Sequence, residues 1–517
     1  MKEQRPDART LSASEWDVIV IGGGITGAGV AREAARRGLK TLLLEQRDYA
    51  WGTSSRSSKM VHGGLRYIAS GDIRLTWHSL VERERLMRES SGLVTRMGYW
   101  FAHFRKKFPG PFVFGLLLTV YDVLARYRDH SYSAKDRFLA RMPGYLAQDL
   151  LGASRYTDAL VDDARLVLRV LEEARADGAL TLNYVTVHDL VMHEGRVAGV
   201  EAKDDISGIA MRLQAKAVIS ATGAWADRLR QPLAGEKRIR PQRGSHLVIA
   251  SPRLPVAESV IFMHPDDGRA VFIYPWEGRT LVGTTDLDHR EDLDTEASIS
   301  AQEFAYLLRA ANSQFPAAKL VAEDVIATFS GVRPIVSSGK GRDPSQEKRD
   351  HSVFVDQGLI TVTGGKLTTF RQIALDALRA ASKQLGKTIR DDGSPVFRPV
   401  QQRASWPERL TARFGVRAAE VAVMSEDGDQ ALIPGMTVSW GELRWSLHHE
   451  QVVHLDDLLL RRVRMGLLLP EGGQEHLPRI AQICQQELGW DETRMEQERQ
   501  RYLDIWQRFY GTAAGVT

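Results

Sequence analysis

Asp17-Val-Ile-Val-Ile-Gly-Gly-Gly-Ile-Thr-Gly-Ala-Gly-Val30 is the stretch whose reading decides the fold. Val18 to Ile21 are consecutive, apolar and β-branched, the pattern of a strand buried on both faces of a parallel sheet. A glycine turn follows, then the helical stretch Ala28 to Arg37, with Gly38 placed to cap its C-terminal end. Thr41-Leu-Leu-Leu-Glu45 reads as a second buried strand ending in an acid, which completes a β-α-β unit. Inside that unit Gly22-x-Gly24-x-x-Gly27 matches the dinucleotide fingerprint in its required place, after a strand and opening a helix. Gly22 permits the tight turn, Gly24 lets the backbone approach a pyrophosphate, and Gly27 lets the helix pack close to the sheet. The helix N-terminus offers free N–H groups and a positive dipole end to the phosphates. Glu45 stands where an acid accepts hydrogen bonds from a ribose.

Outward from this unit, strand-like and helical runs alternate. Asp163 to Arg175 reads as a helix, and Ala217 to Ser220 as a short strand before Ala221-Thr-Gly-Ala-Trp225. Between Arg243 and Thr285 the runs Leu247–Ile249, Val271–Tyr274 and Thr280–Val282 suggest an antiparallel sheet inserted in the α/β body. Leu359 to Thr363 is another buried strand, followed by Gly364-Gly365 and a helix. The stretch from Asp391 to Pro407 carries Gly393, Pro395, Pro399 and Pro407 and marks a boundary. Beyond it the pattern is mainly helical, with one continuous helix expected over Glu442 to Leu460.

Composition narrows the function classes. Charged residues make up 26% of the 517 and apolar residues 43%, the balance of a globular chain. Sixty-nine Lys and Arg against 65 Asp and Glu leave a net charge of +4, which demands no nucleic acid. The single cysteine, Cys484, excludes an intrachain disulfide and a cysteine-held iron–sulfur or zinc site, and it reads as an ordinary half-buried residue. His448, His449 and His454 lie on the expected helix without partners at metal spacing, so no metal site is expected. The polar amino terminus lacks the apolar region of a signal peptide, and no run of apolar residues is long enough to span a bilayer.

Several further segments identify the kind of dinucleotide. Thr53-Ser-Ser-Arg-Ser-Ser-Lys-Met-Val-His-Gly-Gly-Leu-Arg-Tyr67 resembles the segment that wraps the flavin in FAD-dependent glycerol-3-phosphate dehydrogenases. Val161-Asp-Asp-Ala-Arg-Leu166, Ala221 to Trp225, Ser330-Gly-Val-Arg-Pro334 and Gly364-Gly-Lys-Leu-Thr-Thr-Phe370 are similar to that family in order and spacing. The resemblance runs from Trp16 to Arg371 and continues more faintly through the C-terminal part. It implies an α/β architecture: an FAD-binding Rossmann-like domain interleaved with an antiparallel-sheet substrate domain, plus a C-terminal helical cap domain. The expected oxidoreductase body is 1–390, with FAD-binding parts at about 15–100, 155–235 and 350–390 and substrate parts at about 100–155 and 236–350; the cap is 391–517.

By the same resemblance, non-covalently held FAD would contact Gly22, Gly24, Gly27, Glu45, Thr53, Ser54, Ser55, Ser58, Lys59, His62, Gly63, Gly64, Leu65, Val187, Gly223, Gly365, Lys366, Leu367 and Thr368. The lone cysteine also argues against a thioether to the flavin. The implied reaction takes a hydride from carbon 2 of sn-glycerol 3-phosphate to FAD, yields dihydroxyacetone phosphate, and passes electrons to a membrane quinone in the catabolism of glycerol and glycerophospholipids. An oxidase of the same fold that uses dioxygen, or one acting on another small hydroxy or amino acid, is the alternative. A phosphorylated polyol needs cationic clamps, and the planar arginine fork suits phosphate. Arg269, Arg333 and Arg349, with Tyr67, His62 and Lys366, are the residues implied to line the substrate pocket. His62 leads as proton acceptor, because imidazole titrates near neutrality. Arg333 either stabilises the alkoxide or takes the proton itself, and Lys366 opens the helix expected at the flavin edge.

The electron acceptor draws attention to Arg96–His130. Its run Phe112 to Val120 is flanked by Arg105-Lys106-Lys107 and by Arg126 and Arg128. The segment reads equally as an interfacial element that meets anionic lipid or as a buried helix with solvated basic ends. The resemblance implies a cytoplasmic protein, peripheral on the inner face of the cytoplasmic membrane. Its expected partners are glycerol 3-phosphate, quinone, an anionic lipid surface and further copies of the chain.

Overall fold

The structure, a computed structural model, describes residues 5–65, 68, 72–337, 350–400, 406–424 and 431–512. Tyr67 and Arg349 lie outside the described residues. Glu15–Ile21 forms the central strand of a sheet ordered His351–Asp356, Leu359–Gly364, Ala210–Ser220, Glu15–Ile21, Thr41–Leu44, Leu180–Leu182. From Leu359–Gly364 to Leu180–Leu182 all neighbours run parallel, with Val18 opposite both Ala217 and Thr41. Side chains alternate across a strand. Val18 and Val20 therefore pack on the helices Ile25–Ala35, Asp163–Ala176 and Phe370–Ala380. Ile19 and Ile21 pack on the antiparallel hairpin Val185–His193/Arg196–Asp204. Both faces are covered, which is why the strand carries no polar residue from Val18 to Ile21. Burying each such side chain contributes about 1.5–3 kcal/mol.

The second sheet is built from Leu287–Asp288, Ile239–Ala250, Arg279–Gly283, Ala270–Trp276, Ser259–Met263, Val94–Phe104, Leu150–Val161 and Met60–Val61 in that order, with Val325–Val336 added on Ile239–Ala250. The expected antiparallel arrangement holds for its pairs with one exception: Ser259–Met263 runs parallel to Val94–Phe104. That pair is the seam between two separate chain stretches, 94–161 and 239–336, so no hairpin dictates its direction. The strands Val94–Phe104 and Leu150–Val161 also cross the expected boundaries at 100 and 155.

The C-terminal region consists mainly of helices, including Glu408–Phe414, Trp440–His449, Leu477–Leu488 and Glu492–Phe509. It rests on the second sheet: Tyr274, Trp276, Leu281 and Phe329 share one apolar cluster with Leu459, Leu468, Ile480 and Tyr502. The continuous helix expected over Glu442–Leu460 is interrupted. Helix Trp440–His449 starts with a capping box between Ser439 and Glu442 and stops at His449. Asp457 Oδ2 then accepts the N–H groups of Val453 and His454, each at 2.9 Å, and opens a separate π-helical turn, Asp457–Arg462. The apolar period runs through both pieces, and the break is made by a side chain that caps from within. Cys484 is fully buried between these helices, and burial pushes its thiol up to about 12.

Candidate active site

The carboxyl ends of the parallel strands open into a cavity of about 2290 Å³ that continues across the second sheet. Its first wall is the fingerprint turn. Gly22 sits at φ +110°, and a Cβ on Gly27 would come within 1.8 Å of Gly22 O, so the helix and turn approach each other only through glycine. Helix Ile25–Ala35 starts at Ile25, three residues earlier than expected, which points its first N–H groups into the turn. Gly23 N donates to Glu45 Oε2 at 2.6 Å, and Arg47 N donates to Glu45 Oε1 at 2.8 Å. Burial nevertheless pushes the Glu45 carboxyl above its usual value, and those two backbone donors oppose the rise.

The second wall is the segment Trp51–Ser58. Thr53, Ser54 and Ser58 line the cavity, and Ser54 Oγ accepts the Ile25 N–H at 3.0 Å. Val187, Gly223 and the turn Gly365 to Thr368 line it as well. Thr368 Oγ1 lies 3.5 Å from the His62 carbonyl, which places the two loops expected at the flavin edge side by side. His62, Gly64 and Leu65 belong to the same wall. The cavity thus follows one continuous path from the dinucleotide turn to these loops. The glycine cradle and its exposed helix end fit the pyrophosphate of FAD.

Four residues expected at the cofactor are absent from the cavity lining, three of them in one segment. Lys59 is fully buried behind the segment, where its ammonium pairs with Asp163 at 2.8 Å. Ser55 is buried and turns its backbone carbonyl toward that same ammonium at 2.6 Å. Gly63 is packed against Leu80 and Tyr121. All three lie in the motif that wraps the cavity, but they form its outer layer. Gly27 likewise serves helix packing and is absent from the lining.

At the far end two arginines converge. Arg333, on strand Val325–Val336, lies across Gly244, where a Cβ would come within 2.7 Å of its Nη2. It bonds Asp286 Oδ1 and Thr284 Oγ1, each at 3.2 Å. Arg269 follows a turn in which its N–H donates to Asp267 Oδ1 at 3.0 Å, and its Nη1 donates to the Asp286 carbonyl at 2.7 Å. Lys366 Nζ donates to Ser79 Oγ at 2.9 Å. Arg269, Arg333, His62 and Lys366 all line the cavity. A small anionic substrate bound there would meet two guanidinium forks beside the cofactor path.

Sequence reasoning missed several groups that shape this end. Asp286 and Thr284 orient Arg333. His246 Nε2 is 2.9 Å from Ser58 Oγ, and its ring stacks on Phe329. Burial, reinforced by the Arg333 and Lys59 cations, holds this imidazole well below its usual range. Asp158 lines the cavity and accepts the Gly63 N–H at 2.9 Å, Arg83 at 2.6 Å and Tyr121 at 2.7 Å. None of these residues stands in a motif with a recognisable spacing, so only their spatial meeting reveals them.

A parallel sheet with a glycine-turn dinucleotide site, joined to a second sheet that carries a cationic pocket, defines a two-domain dinucleotide-dependent oxidoreductase. Residues 17–371 match the family model described as FAD dependent oxidoreductase, and residues 382–495 match the C-terminal domain of alpha-glycerophosphate oxidase. The chain belongs to the FAD-dependent glycerol-3-phosphate dehydrogenase family, and FAD is its cofactor. It is 33% identical to the aerobic glycerol-3-phosphate dehydrogenase of Staphylococcus haemolyticus, over 88% of this chain and 87% of that one. Identity to the enzyme of the same name from Bacillus subtilis is 36%, over 73% of this chain and 69% of the relative. Among solved structures, the glycerol-3-phosphate dehydrogenase from Bacillus halodurans complexed with FAD superposes with a TM-score of 0.78 at 26% identity, covering 96% of each chain.

Proposed function

We propose that the chain oxidises sn-glycerol 3-phosphate to dihydroxyacetone phosphate and delivers the electrons to a membrane quinone. The observation that carries this reading is the single cavity that has the dinucleotide turn at one end and Arg269 and Arg333 at the other. Bound FAD supplies the two-electron acceptor for the hydride from carbon 2. Arg269 and Arg333 bind the phosphate and orient the polyol, with Arg349 and Tyr67 as further contacts. Asp286 keeps both forks aimed at the cavity through its carboxylate and carbonyl. His62 accepts the hydroxyl proton, and Arg333 stabilises the oxygen as it becomes negative. Lys366 places a fixed positive charge at the turn Gly365 to Thr368.

Anaerobic absorbance tests the reading. The purified protein shows flavin bands near roughly 370 and 450 nm, and the longer-wavelength band bleaches on addition of glycerol 3-phosphate. Intact bands at saturating glycerol 3-phosphate would exclude this substrate. The C-terminal match to alpha-glycerophosphate oxidase favours a second reading, in which dioxygen is the acceptor. Stoichiometric hydrogen peroxide during aerobic turnover distinguishes it.

The mouth of the cavity supports a membrane acceptor. Helix Pro111–Ala125 buries Phe114, Leu118 and Tyr121 and leaves Phe112, Leu116, Val120 and Val123 exposed along its outer face. Phe108, Phe112 and Val123 are 83%, 78% and 71% exposed, an unusual state for large apolar side chains. Ile73, Trp77 and Val81 add a second exposed stripe on the neighbouring helix Ile73–Glu89. Arg105, Lys106, Lys107, Arg126 and Arg128 are exposed at the two ends of the mouth helix. Apolar residues ringed by cations suit a surface that sinks into the headgroup layer of an anionic bilayer. Among the described residues no helix is long and apolar enough to cross a membrane. Phe108, Val113, Leu116 and Val120 also line the cavity, so a lipophilic acceptor could enter from the bilayer side.

A further inference from the structure

The segment Trp51–Ser58 has a reverse side, and the C-terminal region holds it. The Ser55 carbonyl accepts from Lys59 Nζ at 2.6 Å and from Arg464 Nη2 at 2.8 Å. Asp163 Oδ2 accepts the Ser57 N–H at 3.0 Å and the Ser57 hydroxyl at 2.7 Å, while its Oδ1 accepts from Arg464 at 3.1 Å. At the start of the same loop, Arg462 grips Asp48 with both Nη atoms, at 2.6 and 2.7 Å, and Arg461 Nε donates to that carboxylate as well. Tyr49 OH donates to Gln451 Oε1 at 2.7 Å. Asp48, Lys59, Asp163, Arg461, Arg462 and Arg464 are each at most 1% exposed.

Burying so many charges is a poor route to stability. A buried ion pair commonly does no better than apolar side chains of similar volume, because the desolvation cost offsets the attraction. What charge-assisted and bidentate bonds add is direction. The acceptors here are the Asp48 carboxylate and the Ser55 carbonyl, one at each end of a loop whose other face lines the cavity. The donors come from the π-turn Asp457–Arg462 and from Arg464, which stands just beyond it at φ +63°. In an α-helix adjacent side chains diverge by about 100°. Arg461 and Arg462, neighbours on the π-turn, nevertheless converge on one carboxylate, and π-turns are frequent at functional sites. Among the described residues none beyond Thr368 lines the cavity, and these contacts connect the C-terminal region to the loop that does.

We propose that Arg462 and Arg464 are positioning residues of the flavin site: through them the C-terminal domain sets the loop Asp48–Ser58 in its cofactor-binding shape. The proposal rests on the reading of Ser54 and Ser58 as cofactor contacts. It makes the C-terminal domain part of the FAD site from behind the loop, since none of its described residues lines the cavity.

The test compares full-length variants by FAD titration of the apoprotein, visible circular dichroism of the bound flavin, and Tm. Arg464→Met removes a charge-assisted bond and is expected to raise the FAD Kd about tenfold or more and to change the flavin dichroism. Arg464→Lys still reaches a single carbonyl and should restore most of the affinity. Arg462→Lys cannot reproduce the bidentate grip and should not. Tyr502→Phe serves as the control. It removes a buried bond to the Gly472 carbonyl at 2.6 Å within the same domain, and should lower Tm without changing the FAD Kd. Arginine variants that lose Tm but keep the wild-type FAD Kd and dichroism would overturn the proposal. If Arg464→Met does not fold, an unchanged FAD Kd in Arg462→Lys overturns it equally. Wild-type FAD affinity in a Ser54→Ala/Ser58→Ala double variant sinks the premise instead, and so separates the two failures.

Discussion

Arg333 shows how the surroundings of a single side chain hold it for the role proposed for it. Gly244 leaves the space its guanidinium occupies, and Asp286 and Thr284 hold two of its nitrogens. Replacing it with Leu removes a charged donor from the reacting end, so the rate constant for anaerobic bleaching by substrate should fall about 10²–10³-fold. A Lys replacement should recover only part of this, because the fork is lost. An unchanged bleaching rate in Arg333→Leu would refute the assigned role. Gly244→Ala should displace the same guanidinium, raising the KM for glycerol 3-phosphate while the FAD content stays at the wild-type level. His246 is held neutral by burial and by the nearby Arg333 and Lys59 cations. The pH dependence of the bleaching rate should therefore survive His246→Gln and change in His62→Ala. Arg269 and Arg333 could be picked from the sequence because each sits beside a distinctive motif. The inward or outward turn of Ser54, Ser55, Ser58 and Lys59 could not. They share one motif, and only the loop's path decides which of them faces the cavity.

Two elements carry consequences beyond single residues. Strand His351–Asp356 begins beside the Gly364-Gly365 turn, with His351 between Asp350 at 3.2 Å and Asp376 at 2.9 Å. Burial alone would lower the imidazole pKa, but the two carboxylates outweigh it and raise the value from 6.5 to about 9. Because the folded-state pKa lies above the unfolded one, this contribution is complete below pH 6.5 and is lost as pH rises through about 9. The stability gap between wild type and His351→Gln, from urea titrations, should be on the order of 1 kcal/mol in acid, allowing for solvent screening. It should close in alkali, and a gap independent of pH would contradict the pairing. The helix Pro111–Ala125 makes the second case. Phe112→Ser with Leu116→Ser removes exposed apolar surface, so flotation with anionic vesicles should weaken while Tm holds. Vesicle binding that stays at the wild-type level would move the docking surface elsewhere. Its composition left a buried and an interfacial helix equally open, since both are apolar with basic ends. The exposed stripe at Phe112, Leu116, Val120 and Val123 appears only once the neighbouring helix is in place. The reverse holds for Glu442–Leu460, where an apolar period concealed a break made by Asp457.

For the whole molecule, the pattern of segments anticipated an antiparallel sheet inserted in an α/β body and a helical C-terminal region, while the interleaving of FAD-binding and substrate parts was implied by the family resemblance. Strand periodicity reports which face is buried, and that information is local. The parallel seam between Val94–Phe104 and Ser259–Met263 joins residues far apart in the chain, and no local pattern encodes its direction. The C-terminal region is fastened to the rest by the apolar cluster around Trp276 and Leu459 and by the buried Asp48–Arg462 pair. Calorimetry should therefore record one cooperative unfolding transition, with Tm rising as FAD is added, since ligand that binds only the folded state stabilises it. Two resolved transitions would mean that the C-terminal region melts independently. Cys484 has a practical consequence. The chain's only thiol is fully buried and is pushed up to about 12, so alkylating reagents find almost no thiolate on the native protein. Phe112→Cys or Val123→Cys thus creates a unique attachment point for a maleimide fluorophore or spin label, with no native cysteine to remove. The proposed contact of the cavity mouth with a bilayer, and its depth, then become measurable by quenching on a chain altered at one position.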